Sequence, residues 1–188
     1  MAPTPPTQQT PEAVAQPAWR RLLPVFVLVA AAWFGVHWLN RATERPRLVA
    51  GEVPPLQLQA FDGSTIDLAT LRGQGLVVNF WASWCEPCRV EADLFEAAWR
   101  AEQQRSTDGI LFIGVNHQDT QPAAQAFLDE FSVSYPNGMD ASGAWSRAFG
   151  ILGLPSTFFV DAEGQIKAVV WGPITSEREL AQQLEKIR

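Results

Sequence analysis

Beyond Cys85 and Cys88 the chain has no cysteine, and its only histidines are His37 and His117. A framework of several disulfides is therefore excluded. Tetrahedral zinc would need two more ligands of the right type beside the pair, and this inventory makes poor provision for them. A surplus of positive charge is missing as well. Arg20, Arg21, Arg41, Arg45 and Arg47 outnumber Glu12 and Glu44 before Leu48, yet the remainder is acidic enough to bring the net charge to −6. A phosphate backbone would be repelled by such a domain, which argues against a nucleic-acid partner. Basic protein partners are compatible with it, although an acidic surface is also what solubility alone asks for. Internal repeats are absent. What is present is a composition 47% hydrophobic and 18% charged, which is globular, over 188 residues, enough for one domain plus an accessory segment.

Residues 1–21, rich in Pro, Thr, Gln and Ala without an apolar period, read as a disordered tail. Leu22–Leu39 is the one long apolar run, flanked by arginines, and its length suits one membrane crossing of about 20 residues. Trp33 and Trp38 fit an interfacial belt, and Pro24 is tolerable in a first helical turn. A core helix is the bland alternative, but every face is apolar. A cleaved leader ending at Ala30-Ala31-Ala32 is the stronger rival; against it, the apolar run continues through Leu39. An uncleaved anchor over 22–39 is the expectation, followed by a linker over 40–50 and a domain over 51–188. Arginines on both sides leave the orientation open.

Within the domain, Asp62-Gly63 between alternating segments predicts a hairpin. Leu76–Trp81 (LVVNFW) is a continuous apolar run, as a buried strand would be. Val90, Leu94, Phe95, Ala98 and Trp99 then recur at helical spacing, which puts Cys85 near a helix N-terminus. Gly109–Asn116 predicts a second buried strand, Pro122–Phe131 a helix, and Ser142–Ile151 a short helix. Thr157–Asp161 and Gln165–Trp171 about a turn at 162–164 make a further hairpin. Ser176 with Glu179 three residues on is a capping box opening a last helix. This order implies an α/β sheet with helices on both faces.

A strand that delivers Cys-x-x-Cys onto a helix N-terminus has a chemical consequence. The unpaired N–H groups and the helix dipole favour an anion there, so Cys85 is expected to carry a lowered pKa and act as nucleophile. Cys88, one turn deeper, can then attack a mixed disulfide on Cys85 and release the partner. A purely structural disulfide is the alternative, but so short a loop gains little closure entropy. Metal binding is the other.

The stretch FWASWCEPC (Phe80–Cys88), followed by GLPSTFFVD (Gly153–Asp161), resembles the thioredoxin superfamily, and within it the membrane-anchored TlpA/ResA/DsbE (CcmG) branch of thiol–disulfide oxidoreductases. The resemblance covers about Gly51 to Arg188. It implies a thioredoxin-like α/β fold, with a central mixed sheet flanked by helices, an N-terminal hairpin, a central insert and one N-terminal transmembrane helix. It implies a cis Pro155 beside the redox pair, with the Leu154 backbone offered to a partner peptide; an ordinary trans turn proline is the alternative. Thioredoxins carry a buried Asp where this chain has Asn79, which cannot take the resolving cysteine's proton. In the branch named, a glutamate three residues after the second cysteine is placed to do so, and Glu91 matches it. Cys88 and Glu91 share a helix face, and a partly buried carboxylate there can act as general base. A solvent-facing glutamate that merely complements the dipole is the other reading.

Glu86 and Pro87 lie between the cysteines. A carboxylate beside Cys85 opposes the thiolate, which predicts a reductant or a mildly poised protein, unless Glu86 points into solvent. Trp81 and Trp84 flank the site and shape partner contact; His117 reads as a loop residue. The expected function is reduction of disulfides in exported proteins, with apocytochrome c, whose Cys-x-x-Cys-His must be reduced before haem attachment, as the leading substrate. Re-reduction would come from a DsbD/CcdA-like membrane protein, outside the cytoplasmic membrane and without a cofactor. A reductase for a copper-site or other envelope protein, or a copper chaperone holding the metal on Cys85 and Cys88, are the alternatives.

Overall fold

The computed structural model describes residues 29–35, 51–105 and 109–188. The chain divides into two compact units, Met1–Arg45 and Pro46–Arg188. In the first, residues 29–35 are helical with Val29, Trp33 and Phe34 exposed. Among the described residues no helix is long and apolar enough to cross a membrane. The expected tail over 1–21, the linker over 40–50 and most of the 22–39 segment lie outside those residues.

The second unit is built on strands whose side chains alternate between two covered faces. β1 (Gln57–Gln59) and β2 (Thr65–Asp67) form the antiparallel hairpin, and Asp62 Oδ1 accepts both the N–H and the hydroxyl of Ser64 to fold its turn. β3 (Leu76–Trp81), β4 (Leu111–Asn116), β5 (Asn137–Met139), β6 (Ser156–Val160) and β7 (Ile166–Trp171) make a five-stranded sheet in the order β5-β4-β3-β6-β7. β3 runs parallel to β4, and β4 to β5, whereas β6 is antiparallel to both β3 and β7. The sheet is mixed, as expected.

Because successive residues of a strand point to opposite faces, central β3 feeds two cores. Leu76, Val78 and Phe80 pack with the hairpin residues Leu58 and Ile66 and with Trp145 and Phe149 of α3 (Ala144–Phe149). Val77 packs with Phe95 and Trp99 of α1 (Glu86–Gln103) and with Leu180 and Leu184 of α4 (Glu177–Leu184). Trp81 meets the cysteines together with Ala124, Phe127 and Leu128 of α2 (Gln121–Glu130). Helices thus cover both faces of a thioredoxin-like α/β fold.

The sequence reading missed one strand and misjudged one helix face. β5 was not anticipated: Asn137-Gly138 carries a turn signal, yet the segment pairs along β4. A Cβ on Gly138 would sit 2.4 Å from the Gln59 carbonyl oxygen, so only glycine lets the hairpin approach this strand. The buried stripe of α1 also differs. Val90 is 59% exposed, while Cys88, Glu91, Phe95, Glu96, Trp99 and Glu102 are buried. The three buried glutamates are tolerated because each has its hydrogen bonds met. Glu96 accepts the N–H and hydroxyl of Ser134 at 2.8 and 2.7 Å, and Glu102 accepts Ile110 N–H at 3.2 Å and Arg188 at 2.9 Å.

Candidate active site

β3 is buried along its whole length and ends in the segment that carries the thiols. Cys85 takes extended backbone (φ −86°, ψ 100°) as the N-cap of α1, and its sulfur accepts the Cys88 N–H at 3.2 Å. Glu86 and Pro87 form the first helical positions, where a missing N–H leaves no helical bond unmade. The cysteines are joined as a disulfide with Cα atoms 5.3 Å apart. On reduction, the open N–H groups and the dipole of an 18-residue helix favour negative charge at its start.

The two sulfurs are not equivalent. Cys85 lines an open groove of about 510 Å³, together with Trp84, Glu86, Pro87, His117 and the loop Ile151–Leu154. Cys88 is not part of that lining; both cysteines are buried, at 4% and 2% exposed, so the groove and not overall exposure separates them. A disulfide entering the groove meets Cys85 first. The rim is apolar: Trp84 is 60% exposed and Leu152 78%. Trp84 is nonetheless held, because its indole N–H donates to the Gln118 carbonyl at 2.9 Å. The Leu154–Pro155 peptide bond is cis. Pro155 belongs to a second hollow of about 260 Å³ that shares the loop Leu152–Leu154 and reaches Trp171 and Gly172. Since β6 is antiparallel to β3, with Ser156 opposite Phe80, this loop and the thiols meet at one end of the sheet.

Glu91 is 2% exposed, so the solvent-facing alternative does not describe it. Its Oε1 accepts Asn79 Nδ2 at 2.9 Å and its Oε2 accepts the Ile174 N–H at 2.9 Å. Asn79 Nδ2 also donates to Thr157 Oγ1 at 3.0 Å, which ties β3, β6 and α1 together. Burial pushes the Glu91 carboxyl up to about 7, against the lowering effect of the Ile174 and Asn79 hydrogen bonds. Asn79 therefore stands as a donor to the carboxylate and not as a substitute for it. Glu86 and Pro87 are exposed in the wall of the groove.

The family model for Redoxin matches residues 48–184. The chain belongs to the Redoxin family. It is similar to the thiol:disulfide interchange protein HelX of Rhodobacter capsulatus, 35% identical over 82% of this chain and 88% of that protein. It is also similar to the thiol:disulfide interchange protein DsbE of Pseudomonas fluorescens biotype C, 32% identical over 79% of this chain and 82% of that protein. Among solved structures, a thiol:disulfide interchange protein of the thioredoxin family from Chlorobium tepidum TLS superposes with a TM-score of 0.65 at 27% identity, covering 72% of this chain and 94% of that one. This Redoxin-family chain is a thiol–disulfide oxidoreductase, with Cys85 and Cys88 as its redox pair.

Sequence reading missed the clamp that holds the Redoxin pair in place. Asp119 accepts the N–H and hydroxyl of Ser83 at 2.6 and 2.9 Å, Asn116 Nδ2 at 3.0 Å and Thr120 N–H at 2.8 Å. Burial alone would raise its carboxyl, but these hydrogen bonds together hold it below the ordinary range. The loop after β4 is thereby fastened to the loop that presents Cys85. An Asp directly before a Thr N-cap was the available signal; its partner at position 83 was not visible in one dimension.

Proposed function

We propose that the chain reduces disulfides in exported proteins, with apocytochrome c as the leading substrate, from the outer face of the cytoplasmic membrane with residues 22–39 as its anchor. The observation that carries the reading is the asymmetry of the redox pair: Cys85 lines an open groove at a helix N-terminus, while Cys88 is outside that lining and precedes the buried acid Glu91 by three residues on the same helix. The Cys85 thiolate attacks the substrate disulfide and forms a mixed disulfide. Glu91, close to neutrality, takes the Cys88 proton, and Cys88 attacks Cys85 to release the second substrate thiol. The substrate gains two electrons and the pair loses them; a DsbD/CcdA-like membrane protein restores the dithiol. Glu86 is exposed, the case in which its carboxylate bears little on the thiolate, so a reducing poise is carried by the reaction class alone. The extended segment that enters would lie against the Leu154 backbone next to Pro155. Likeness to the interchange proteins HelX and DsbE supports the class of reaction.

Cys88→Ser, expressed in cells, leaves the mixed disulfide unresolved. Recovery of a cytochrome c precursor bound through Cys85 is the expected result. A copper-site protein in its place would redirect the assignment, and the absence of any adduct, with Cys85 still alkylated readily, would overturn it.

A further inference from the structure

One wall of the groove holds a group that the exchange scheme leaves unused. His117 follows β4 and lines the groove with Cys85 and Glu86. Its backbone N–H donates to the Trp81 carbonyl at 2.9 Å, at the end of the strand that delivers the thiols. On the side of the ring that faces the fold, Nδ1 lies 2.7 Å from Ser146 Oγ, and Ser146 Oγ lies 2.6 Å from Asp140 Oδ2. The carboxylate of Asp140 also takes the N–H groups of Trp145 at 3.2 Å and Ser146 at 2.8 Å.

These contacts decide which nitrogen carries the proton. A hydroxyl has one hydrogen and two lone pairs, and a carboxylate only accepts. Three donors converge on Asp140, so the Ser146 hydrogen points to Asp140 and the hydroxyl oxygen accepts from His117. Nδ1 therefore carries the proton of the neutral ring, and a second proton, on Nε2, is present only in the imidazolium, which is the form that starts the step proposed below. Nε2 is the one left to exchange a proton with whatever occupies the groove.

We propose that His117 is a catalytic residue of the exchange reaction, giving a proton from Nε2 to the thiolate that leaves when Cys85 attacks a substrate disulfide. The inference rests on the reductase reading above. In this step the Cys85 thiolate forms a bond to the nearer substrate sulfur. The substrate S–S bond breaks, and the departing sulfur takes the electron pair. The Nε2 proton converts it to a thiol, leaving a neutral ring with its hydrogen on Nδ1. Solvent reprotonates Nε2 before Cys88 expels the second sulfur into the same groove. His117 moves protons only; the two electrons pass between substrate and cysteines. Asp140, acting through Ser146, orients the imidazolium and offsets its charge. Among the described residues, Cys85 and Glu86 are the titratable groups that line the groove with it, and Asp119 lies two residues further along its own loop.

Two probes test the step by stopped-flow with the reduced full-length protein between pH 5 and 9. Oxidised glutathione releases a thiolate of ordinary basicity, whereas the aryl disulfide DTNB releases one that departs without a proton. General acid–base catalysis contributes about 10²–10⁴-fold. His117→Gln should therefore slow the glutathione disulfide reaction by about tenfold or more near pH 6. The DTNB rate should stay within about twofold of wild type. Ser146→Ala should give a smaller loss with the same selectivity. Equal slowing with both probes would mean that His117 only shapes the loop or steadies Cys85, and no slowing with either would mean that it plays no part. Either result overturns the proposal while leaving the reductase reading intact. Failure of the wild type to react with glutathione disulfide would instead overturn the reading itself.

Discussion

Glu91 should make the oxidised protein less stable at neutral than at acid pH. Its carboxyl ionises near the ordinary 4.5 in the unfolded chain and near 7 in the fold, because burial penalises the charge. Between those values the folded protein keeps a proton that the unfolded chain has released, so stability falls as pH rises. The contribution is fully present below about pH 4.5, is lost on passing through about pH 7, and is flat above. At about 1.4 kcal/mol per pH unit, the gap amounts to about 3 kcal/mol. Glu91→Gln removes the titration while keeping the shape. The new amide can still accept the Ile174 N–H, and a turned-over Asn79 side chain can accept from it. Urea unfolding of the oxidised protein, followed by tryptophan fluorescence at pH 5, 6, 7 and 8, gives the stability of each form. The loss between pH 5 and pH 8 should be about 2.5 kcal/mol larger in wild type than in the variant, because part of the effect is already lost at pH 5. Equal pH dependence in both proteins would refute the reasoning.

Three further perturbations follow from the same contacts. Gly114→Ala places a Cβ 1.6 Å from Asn137 Oδ1 and 2.9 Å from Trp81 Nε1, so urea unfolding should show a loss of about 1–3 kcal/mol or more. Trp81→Phe keeps the stacking on Phe127 (centroids 4.5 Å apart) but strips Asn137 Oδ1 of its indole donor at 2.8 Å. An acceptor left unmet there should cost about 1–3 kcal/mol, seen as a lower urea midpoint with unchanged m-value. Asp119→Ala unclamps Ser83, and should both lower the thermal midpoint and slow reduction of glutathione disulfide. Asp119→Asn, which still accepts on one oxygen, should recover part of each.

The sheet was legible because its central strands are predominantly apolar: Leu76–Trp81 is β3 to the residue, and the Ala162-Glu163-Gly164 turn separates β6 from β7. The cysteine pair was equally plain from a strand running into a helix. What escaped has a common cause. β5 is three residues long and is held by its neighbours, with no pattern of its own. Glu91 left two readings open because hydrophobic spacing marks apolar residues, and here the packed face of α1 includes three acids satisfied by distant donors. Cys88, Glu91, Phe95, Trp99 and Glu102 do recur at 3–4-residue spacing, so a stripe was present for a reader willing to count glutamates as buried. The His117–Ser146–Asp140 chain depends on a hydroxyl far along the sequence that no local rule brings to the ring.

The opposite directions of β3 and β6 have an engineering consequence. Electron transfer resides in one segment of the polypeptide, while the facing Ile151–Pro155 loop arrives from another, and the β3–β6 ladder and the packing of Leu154 against the cysteine cluster bring them together. If the proposed partner contact lies on this loop, grafting a different loop there is the way to change which targets are admitted without rewriting the reactive sulfurs.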